Sequence, residues 1–188
     1  ARLVIDERRI RLLDIARGVA ALCVIFWHWQ HMSRIWGPLP SGAALERMPG
    51  EQLLKPLYEN GWMAVDLFFC LSGFIFFRLY SRRIADHSVT PREFVVRRVS
   101  RLYPLHLVTL VFVAAAQWSI APHTGGAFVY EENGAAAFVL NMLLLQSLAP
   151  WAWNSFNGPS WSISVECLMY VIFLVTARRG WLRDWKVP

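Results

Sequence analysis

Charged residues are scarce in this sequence, and their scarcity excludes an ordinary soluble domain. Only 17% of the 188 residues are charged, whereas 56% are hydrophobic. A typical soluble domain has about 25% charged residues, most of which cover its surface. The apolar residues are grouped into five blocks, at Gly18–Met32, Trp62–Phe77, Leu102–Ala121, Ala135–Ala149 and Trp161–Ala177. Several blocks approach the roughly 20 residues that a helix needs to cross a bilayer. We therefore predict an all-α, polytopic transmembrane helix bundle with four or five membrane helices.

Cysteine is also rare, which argues against a disulfide framework and against a structural metal site. Cys23, Cys70 and Cys167 each lie inside an apolar block, and the sequence contains no CxxC pair. Isolated cysteines in such surroundings usually pack as small hydrophobic residues. We expect three reduced thiols, no bound metal and no bound cofactor.

Acidic residues are outnumbered by basic ones, 13 to 19, and the basic residues lie beside the hydrophobic blocks. Five arginines precede the first block and seven lie between residues 78 and 101. Such clusters mark the cytoplasmic flanks of membrane helices and attract lipid headgroups or phosphates. No nucleic-acid-binding motif accompanies them, so the bilayer, and not nucleic acid, is the expected partner.

The charge distribution predicts how the helices cross the membrane. With a cytoplasmic N-terminus, the first helix runs outward to a loop at 33–61. The second returns to an arginine-rich loop at 78–101, and the third runs outward again. Hydropathy favours a full crossing by residues 135–149, whereas the arginines after the last block favour a segment that dips in and returns, which is tolerated when it is buried in protein. We favour the full crossing.

Two polar residues of the first helix fall on one face. Arg17 and His28 are eleven residues apart, which is about three helical turns, so His28 lies some 16 Å deeper than Arg17. Ionisable groups inside a membrane are costly and are often functional. A structural histidine that donates one hydrogen bond is the alternative.

The second block carries Asp66 near its start and Ser72-Gly73 near its middle. Asp66 and Gly73 are seven residues apart and therefore share a face. Gly73 would allow a neighbouring helix to approach closely, as small residues often do in membranes. Asp66 is either a helix-start residue at the interface or the partner of a buried arginine.

Arg98 and Arg101 lie three residues apart in RRVSRLYP, just before the third block. One interpretation is an anchor that follows the positive-inside rule. The other is a phosphate-binding clamp, because planar guanidinium groups pair well with phosphate oxygens.

Three polar residues of the last block form a stripe. Ser162, Glu166 and Tyr170 are spaced four residues apart on an otherwise apolar helix. A carboxylate in that position pairs with Arg or His, or carries protons. Structural pairing alone is the alternative.

Four segments together resemble the acyltransferase-3 family of membrane O-acyltransferases. Arg17 and His28 reproduce its Arg-x10-His pattern, and VDLFFCLSGF, RRVSRLYP and PSWSISVECLMYV match three further motifs in the same order. The matching region is residues 10–177. The resemblance implies transfer of an acyl group, typically acetyl, from cytoplasmic acyl-CoA to a hydroxyl of a glycan or lipid-linked sugar at the bacterial inner membrane.

The resemblance also suggests roles for these residues. His28 would be the base or acyl relay, and Glu166 its orienting or proton-sharing partner. The donor and acceptor would be bound by a set of seven residues, namely Arg17, Arg98, Arg101, Asp66, Ser72, Ser162 and Tyr170. Cys167 stands where the family often has a second Glu or a Gln, which leaves Glu166 as the only carboxylate there.

Family members usually have about ten membrane helices, so we expect residues 1–188 to be the N-terminal part of one acyltransferase domain. Two other functions remain open from the sequence. One is a transporter or flippase of glycan intermediates that uses intramembrane His, Arg and Glu as relay groups. The other is a membrane subunit without catalytic activity.

Overall fold

The computed structural model describes residues 7–30, 48–126, 130 and 132–182, and this part of the chain consists of helices and connections without a strand. The helices are α1 (Glu7–Trp29), α2 (Glu51–Asn60), α3 (Ala64–Ala85), α4 (Pro91–Thr124), α5 (Ala135–Met142) and α6 (Trp161–Arg178). Single 3-10 turns lie at Gly61–Met63, Gln146–Leu148, Pro150–Ala152 and Gly158–Ser160. The predicted all-α fold is confirmed.

Four helical stretches in the described residues are long and apolar enough to cross a membrane. They are Leu12–Trp29, Glu51–Ala85, Pro91–His123 and Gly158–Arg178. Of the four or five membrane helices predicted, the described part of the chain therefore contains four.

The full crossing predicted for residues 135–149 is wrong. The helix α5 has only 8 residues, a length of about 12 Å against roughly 30 Å of hydrocarbon. Leu144 has a φ of 56°, in the left-handed region, so the helix cannot continue through it. The chain then proceeds through single 3-10 turns to α6. The length and hydropathy of this block could not predict whether it crosses, because neither quantity depends on a local change of backbone direction.

The arginine-rich segment 78–101 is mainly helical, so the predicted loop is limited to five residues between Ala85 and Pro91. Thr90 caps α4 through a reciprocal pair of hydrogen bonds with Glu93. With 34 residues, α4 is about 50 Å long and exceeds the thickness of the hydrocarbon. The helix is therefore long enough for its first turns to extend beyond the hydrocarbon of the bilayer.

The first of two compact units spans Ala1–Ile75. Within it, α1 packs against α2 and the turn that follows. A Cβ atom at Gly61 would collide with the carbonyl oxygen of Cys23 and the side chain of Trp27, so glycine permits this close approach. Part of the predicted loop at 33–61 is the helix α2, while residues 31–47 lie outside the described residues.

The second unit spans Phe76–Pro188 and has an aromatic core. This core joins the end of α3, the start of α4 and the end of α6. Its buried members are Phe76, Ile84, Val89, Phe94, Tyr170 and Ala177. The C-terminal end of α6 packs beside the N-terminal end of α4, so the two helices run in opposite directions. Their arginine-bearing ends therefore lie at the same end of the unit.

A further core in this unit packs α5 and the segment before α6 against the middle of α4. Its buried members are Leu110, Ala114, Ala137, Ala152 and Phe156. The short helix is thus covered by protein on one side, which is the condition under which a non-crossing segment is stable at membrane depth.

Candidate active site

His28 is oriented by a hydrogen bond within its own helix. Its Nδ1 lies 2.8 Å from the carbonyl oxygen of Val24, one turn earlier. A carbonyl oxygen only accepts, so the hydrogen must be on Nδ1, and Nε2 is then the unprotonated nitrogen of the neutral ring. The half-buried imidazole also packs edge-on against Trp27, with ring centroids 4.7 Å apart. This arrangement suits a base that acts through Nε2.

Arg17 lies on the same unbroken helix as His28 and is half-buried. Asp66 is exposed in the first turn of α3 and forms no salt bridge with Arg17, which favours the helix-start interpretation. Ser72 is half-buried in the middle of α3. A Cβ atom at Gly73 would have no heavy atom of the described residues within 4 Å. The close helix approach predicted at Gly73 is therefore not present in the described structure.

Glu166 is paired with Tyr170, one turn later on α6. The buried Tyr170 hydroxyl donates to Glu166 Oε1 at 2.6 Å. Ser162, the third member of the predicted stripe, instead donates to the carbonyl oxygen of Pro159 at 2.9 Å. The stripe is thus a Glu–Tyr pair and a separate serine that closes the first turn of α6.

Arg98 and Arg101 have different surroundings although they lie one turn apart. The Arg98 guanidinium carbon lies 4.6, 5.0 and 5.8 Å from the ring centroids of Phe76, Tyr80 and Phe94. Its Nε is buried and has no hydrogen-bond partner within the described part of the chain. Arg101 is exposed. Arg98 is therefore held by cation–π contacts, while the Arg101 side chain faces outward.

The aromatic core connects Arg98 to the Glu–Tyr pair. The Tyr170 ring lies edge-on to Phe76 and Phe94, with centroids 5.1 and 5.8 Å apart. Both of these rings also contact Arg98. The position of the Glu166 partner is consequently fixed by the same rings that hold the arginine.

A buried polar network beside this region was not found by the sequence analysis. Asn141 Nδ2 donates to Ser155 Oγ at 2.7 Å, and the Gln146 amide donates to the Ser160 carbonyl oxygen at 3.1 Å. His106, 2% exposed, lies with Nε2 2.9 Å from the Asn141 carbonyl oxygen. The network ties α4, α5 and the start of α6 together.

Ser164 extends the network on the face of α6 opposite the predicted stripe. Its hydroxyl lies 2.6 Å from Ser147 Oγ and 2.7 Å from the Leu144 carbonyl oxygen. The available signal was Asn141 and Gln146 inside an apolar block, because buried amides require partners. Ser155 and Ser160, which lie just before the last block, are those partners.

The described residues include no group of three or more His, Cys, Asp or Glu side chains that would hold a metal ion. The three cysteines are free thiols.

Comparison with known proteins identifies the family. Residues 10–188 match the acyltransferase-3 model, described as "Acyltransferase domain". The chain belongs to the acyltransferase-3 family. This match confirms the resemblance seen in the four sequence motifs. It also supports the prediction of a transferase that lies in the membrane. The roles of the individual site residues stay predictions.

Three relatives show what this acyltransferase-3 chain is similar to. It is 34% identical to "Protein 2 in picA locus" of Rhizobium radiobacter, covering 94% of this chain and 86% of the relative. It is 38% identical to "Acyltransferase MdmB" of Streptomyces mycarofaciens, covering 60% and 27%. It is 31% identical to "Exopolysaccharide production protein ExoZ" of Rhizobium meliloti, covering 70% and 38%. The chain spans about a third of the length of the last two relatives. No solved structure matches it significantly.

Proposed function

We propose that the protein containing this chain is an O-acyltransferase that moves an acyl group, most simply acetyl, from cytoplasmic acyl-CoA to a glycan hydroxyl. The observation that carries the proposal is the Nδ1 contact of His28 with the Val24 carbonyl, in a helix of an acyltransferase-3 chain. That contact makes Nε2 the basic nitrogen of the ring. The similarity to a relative named for exopolysaccharide production supports a glycan acceptor.

The reaction requires a base because a sugar hydroxyl is a weak nucleophile. In the proposed step, His28 Nε2 takes the hydroxyl proton while the hydroxyl oxygen attacks the thioester carbonyl. The carbon–sulfur bond then breaks, the acyl–oxygen bond remains, and the CoA sulfur takes up a proton. Transfer through an acyl-histidine uses the same nitrogen as nucleophile. Glu166 is proposed to orient or share the proton, held in place by Tyr170.

The donor is proposed to bind at the arginine-bearing end of the second unit. Arg98 and Arg101 lie on the first turns of α4, and Arg178 and Arg179 lie at the end of α6. CoA carries several phosphates, and guanidinium groups bind phosphate through paired hydrogen bonds. Arg17, on α1 of the first unit, remains a predicted donor-binding residue.

The same charges support a cytoplasmic position for this end. The helix α5 is too short to cross, so α6 runs back toward the side from which α4 starts, and this direction agrees with the distribution of the arginines. By the positive-inside rule, the arginines of both helices support a cytoplasmic location for this end, and the arginines before the first apolar block support a cytoplasmic N-terminus.

Vesicles of defined orientation test the activity and the topology together. We expect membranes from the protein's own host, containing the full-length protein, to transfer label from acetyl-labelled acetyl-CoA to glycan as an alkali-labile ester. Transfer should occur in inside-out vesicles only, because acetyl-CoA does not cross the bilayer.

Vesicles from a strain that lacks the protein provide the control. Transfer in right-side-out vesicles alone would invert the topology. Absence of transfer in both orientations, with glycan still crossing the membrane, would replace the acyltransferase proposal by a transport function.

Replacement of the two motif arginines by lysine tests the donor site. Lysine keeps the charge but loses the planar fork, so Arg98→Lys and Arg101→Lys should each raise the acetyl-CoA concentration for half-maximal transfer several-fold. Arg98→Lys should also reduce the amount of protein in the membrane, since an ammonium group packs less well than a guanidinium on the surrounding rings and weakens cation–π contacts worth about 1 kcal/mol. Transfer kinetics and quantitative blots measure the two effects.

Arg92→Lys is the matched control, because Arg92 is exposed and lies nine residues, or 2.5 turns, before Arg101 on the opposite face of α4. An unchanged acetyl-CoA dependence with lysine at both 98 and 101 would restore the interpretation of these arginines as a topological anchor.

A further inference from the structure

The connection between α5 and α6 carries tryptophans that the acyl-transfer chemistry does not use. Trp151 is 52% exposed and Trp153 is 39% exposed. Trp153 lies beside Trp161, the first residue of α6, with ring centroids 5.2 Å apart and ring planes at 38°. The partly exposed indoles of Trp153 and Trp161 pack together in one aromatic surface, whereas Trp151 contacts no other ring of the described chain.

Polar groups suited to hydroxyl recognition adjoin this surface. Asn154 is exposed, and neither its amide nor the Trp153 indole N–H has a hydrogen-bond partner among the described residues. Residues 149–160 include no charged side chain. A neutral ligand rich in hydroxyl groups fits these properties, while the phosphates of CoA do not. Sugars combine hydroxyls with C–H faces that pack on the electron-rich faces of aromatic rings.

The segment is held rigidly. Phe156 is kept at a φ of 49°, unusual for a residue other than glycine, and Asn133 Oδ1 accepts from its N–H at 2.6 Å. Ser155 is buried and accepts from Asn141. A Cβ atom at Gly158 would collide with the ring of Tyr130, so only glycine permits this close approach. Backbone strain of this kind persists only where surrounding contacts impose it, and it is frequent at ligand sites.

The position along α6 relates this surface to the proposed chemistry. Trp161 lies five residues, or roughly 8 Å, before Glu166, and Tyr170 with the aromatic core around Arg98 follows one turn later. The carboxylate therefore lies between the tryptophans and the arginine-bearing end of the same unit.

We propose that Trp153, Trp161 and Asn154 form the site where the glycan acceptor is bound, at the end of α6 opposite the donor. That the bound glycan is the acceptor of acyl transfer rests on the proposed function. Tryptophans that merely anchor a helix at the membrane interface are the competing explanation.

The test uses purified full-length protein and the surface polysaccharide of its own host, freed of esters by mild alkali. Trp153→Leu should raise the polysaccharide concentration for half-maximal transfer roughly tenfold, the loss expected for one aromatic contact, and leave the acetyl-CoA dependence unchanged. Trp153→Phe should have an intermediate effect. Trp151→Leu is the matched control, since it removes an indole from the same segment without a ring partner, and should change half-saturation less than about twofold.

Binding of the polysaccharide to immobilised protein is measured alongside, because it does not depend on transfer. Trp153-dependent binding without transfer would uphold this site and refute the acyltransferase proposal. Absence of binding by the unmodified protein, or equal binding by the Trp153→Leu variant, would overturn the acceptor site. Equal loss of membrane protein in the Trp151 and Trp153 variants, with unchanged half-saturation, would establish interface anchoring instead.

Discussion

Replacement of His28 by asparagine is expected to reduce acyl transfer by about a hundred- to ten-thousandfold, the usual contribution of a general base. The asparagine amide can still donate to the Val24 carbonyl as Nδ1 does, so α1 keeps its local hydrogen bond. The nitrogen equivalent to Nε2 is lost, and with it the base or nucleophile. Transfer rates and the amount of protein inserted in the membrane are the two measurements.

The control for this variant is His87→Asn, because His87 is an exposed histidine in the connection between α3 and α4. Its φ of 56° lies in the left-handed region, which asparagine tolerates well. Near-normal transfer by a well-inserted His28→Asn protein would exclude His28 from catalysis. Near-normal transfer and insertion of the asparagine variant, together with poor insertion of His28→Ala, would indicate that His28 acts only through its Nδ1 bond.

Replacement of Glu166 by glutamine is expected to remove most of the acyl transfer while the protein still inserts normally. The Gln side-chain oxygen can accept from the Tyr170 hydroxyl as Glu166 does, so the packing of Tyr170 is preserved. Glutamine cannot ionise or share a proton, and that is the function proposed for Glu166. The initial rate of transfer at saturating acetyl-CoA is the measurement.

Two neighbouring substitutions calibrate this result. Tyr170→Phe removes the hydroxyl that positions the carboxylate, and should reduce transfer less than Glu166→Gln does. Ser162→Ala should have the smallest effect, because its hydroxyl bonds only to the Pro159 carbonyl oxygen, a contact worth about 1 kcal/mol. Full activity of Glu166→Gln, with failure of Glu166→Ala to accumulate, would show that Glu166 is a structural hydrogen-bonding group.

Much of the candidate site could be predicted because its residues lie on single helices. The spacing of Arg17 and His28 defines a common face once the helix is assumed, and α1 is unbroken between them. Glu166 and Tyr170 are one turn apart, and this spacing allows the hydrogen bond between them, although the partner expected for the carboxylate was Arg or His. Partners at greater separation were not predictable. The rings around Arg98 come from α3 and α4, and only packing brings them to one guanidinium.

The sequence alone determined the family, the helical class and the membrane character of this protein, because each depends on local order along the chain. Motifs and apolar blocks are properties of consecutive residues, so they need no knowledge of distant contacts. The tertiary structure alone decided that residues 135–149 do not cross, since their reversal depends on the backbone at Leu144 and on amides satisfied from other segments. It also decided that Arg98, and not Arg101, packs against aromatic rings, because the burial of a side chain depends on residues that are distant in the sequence.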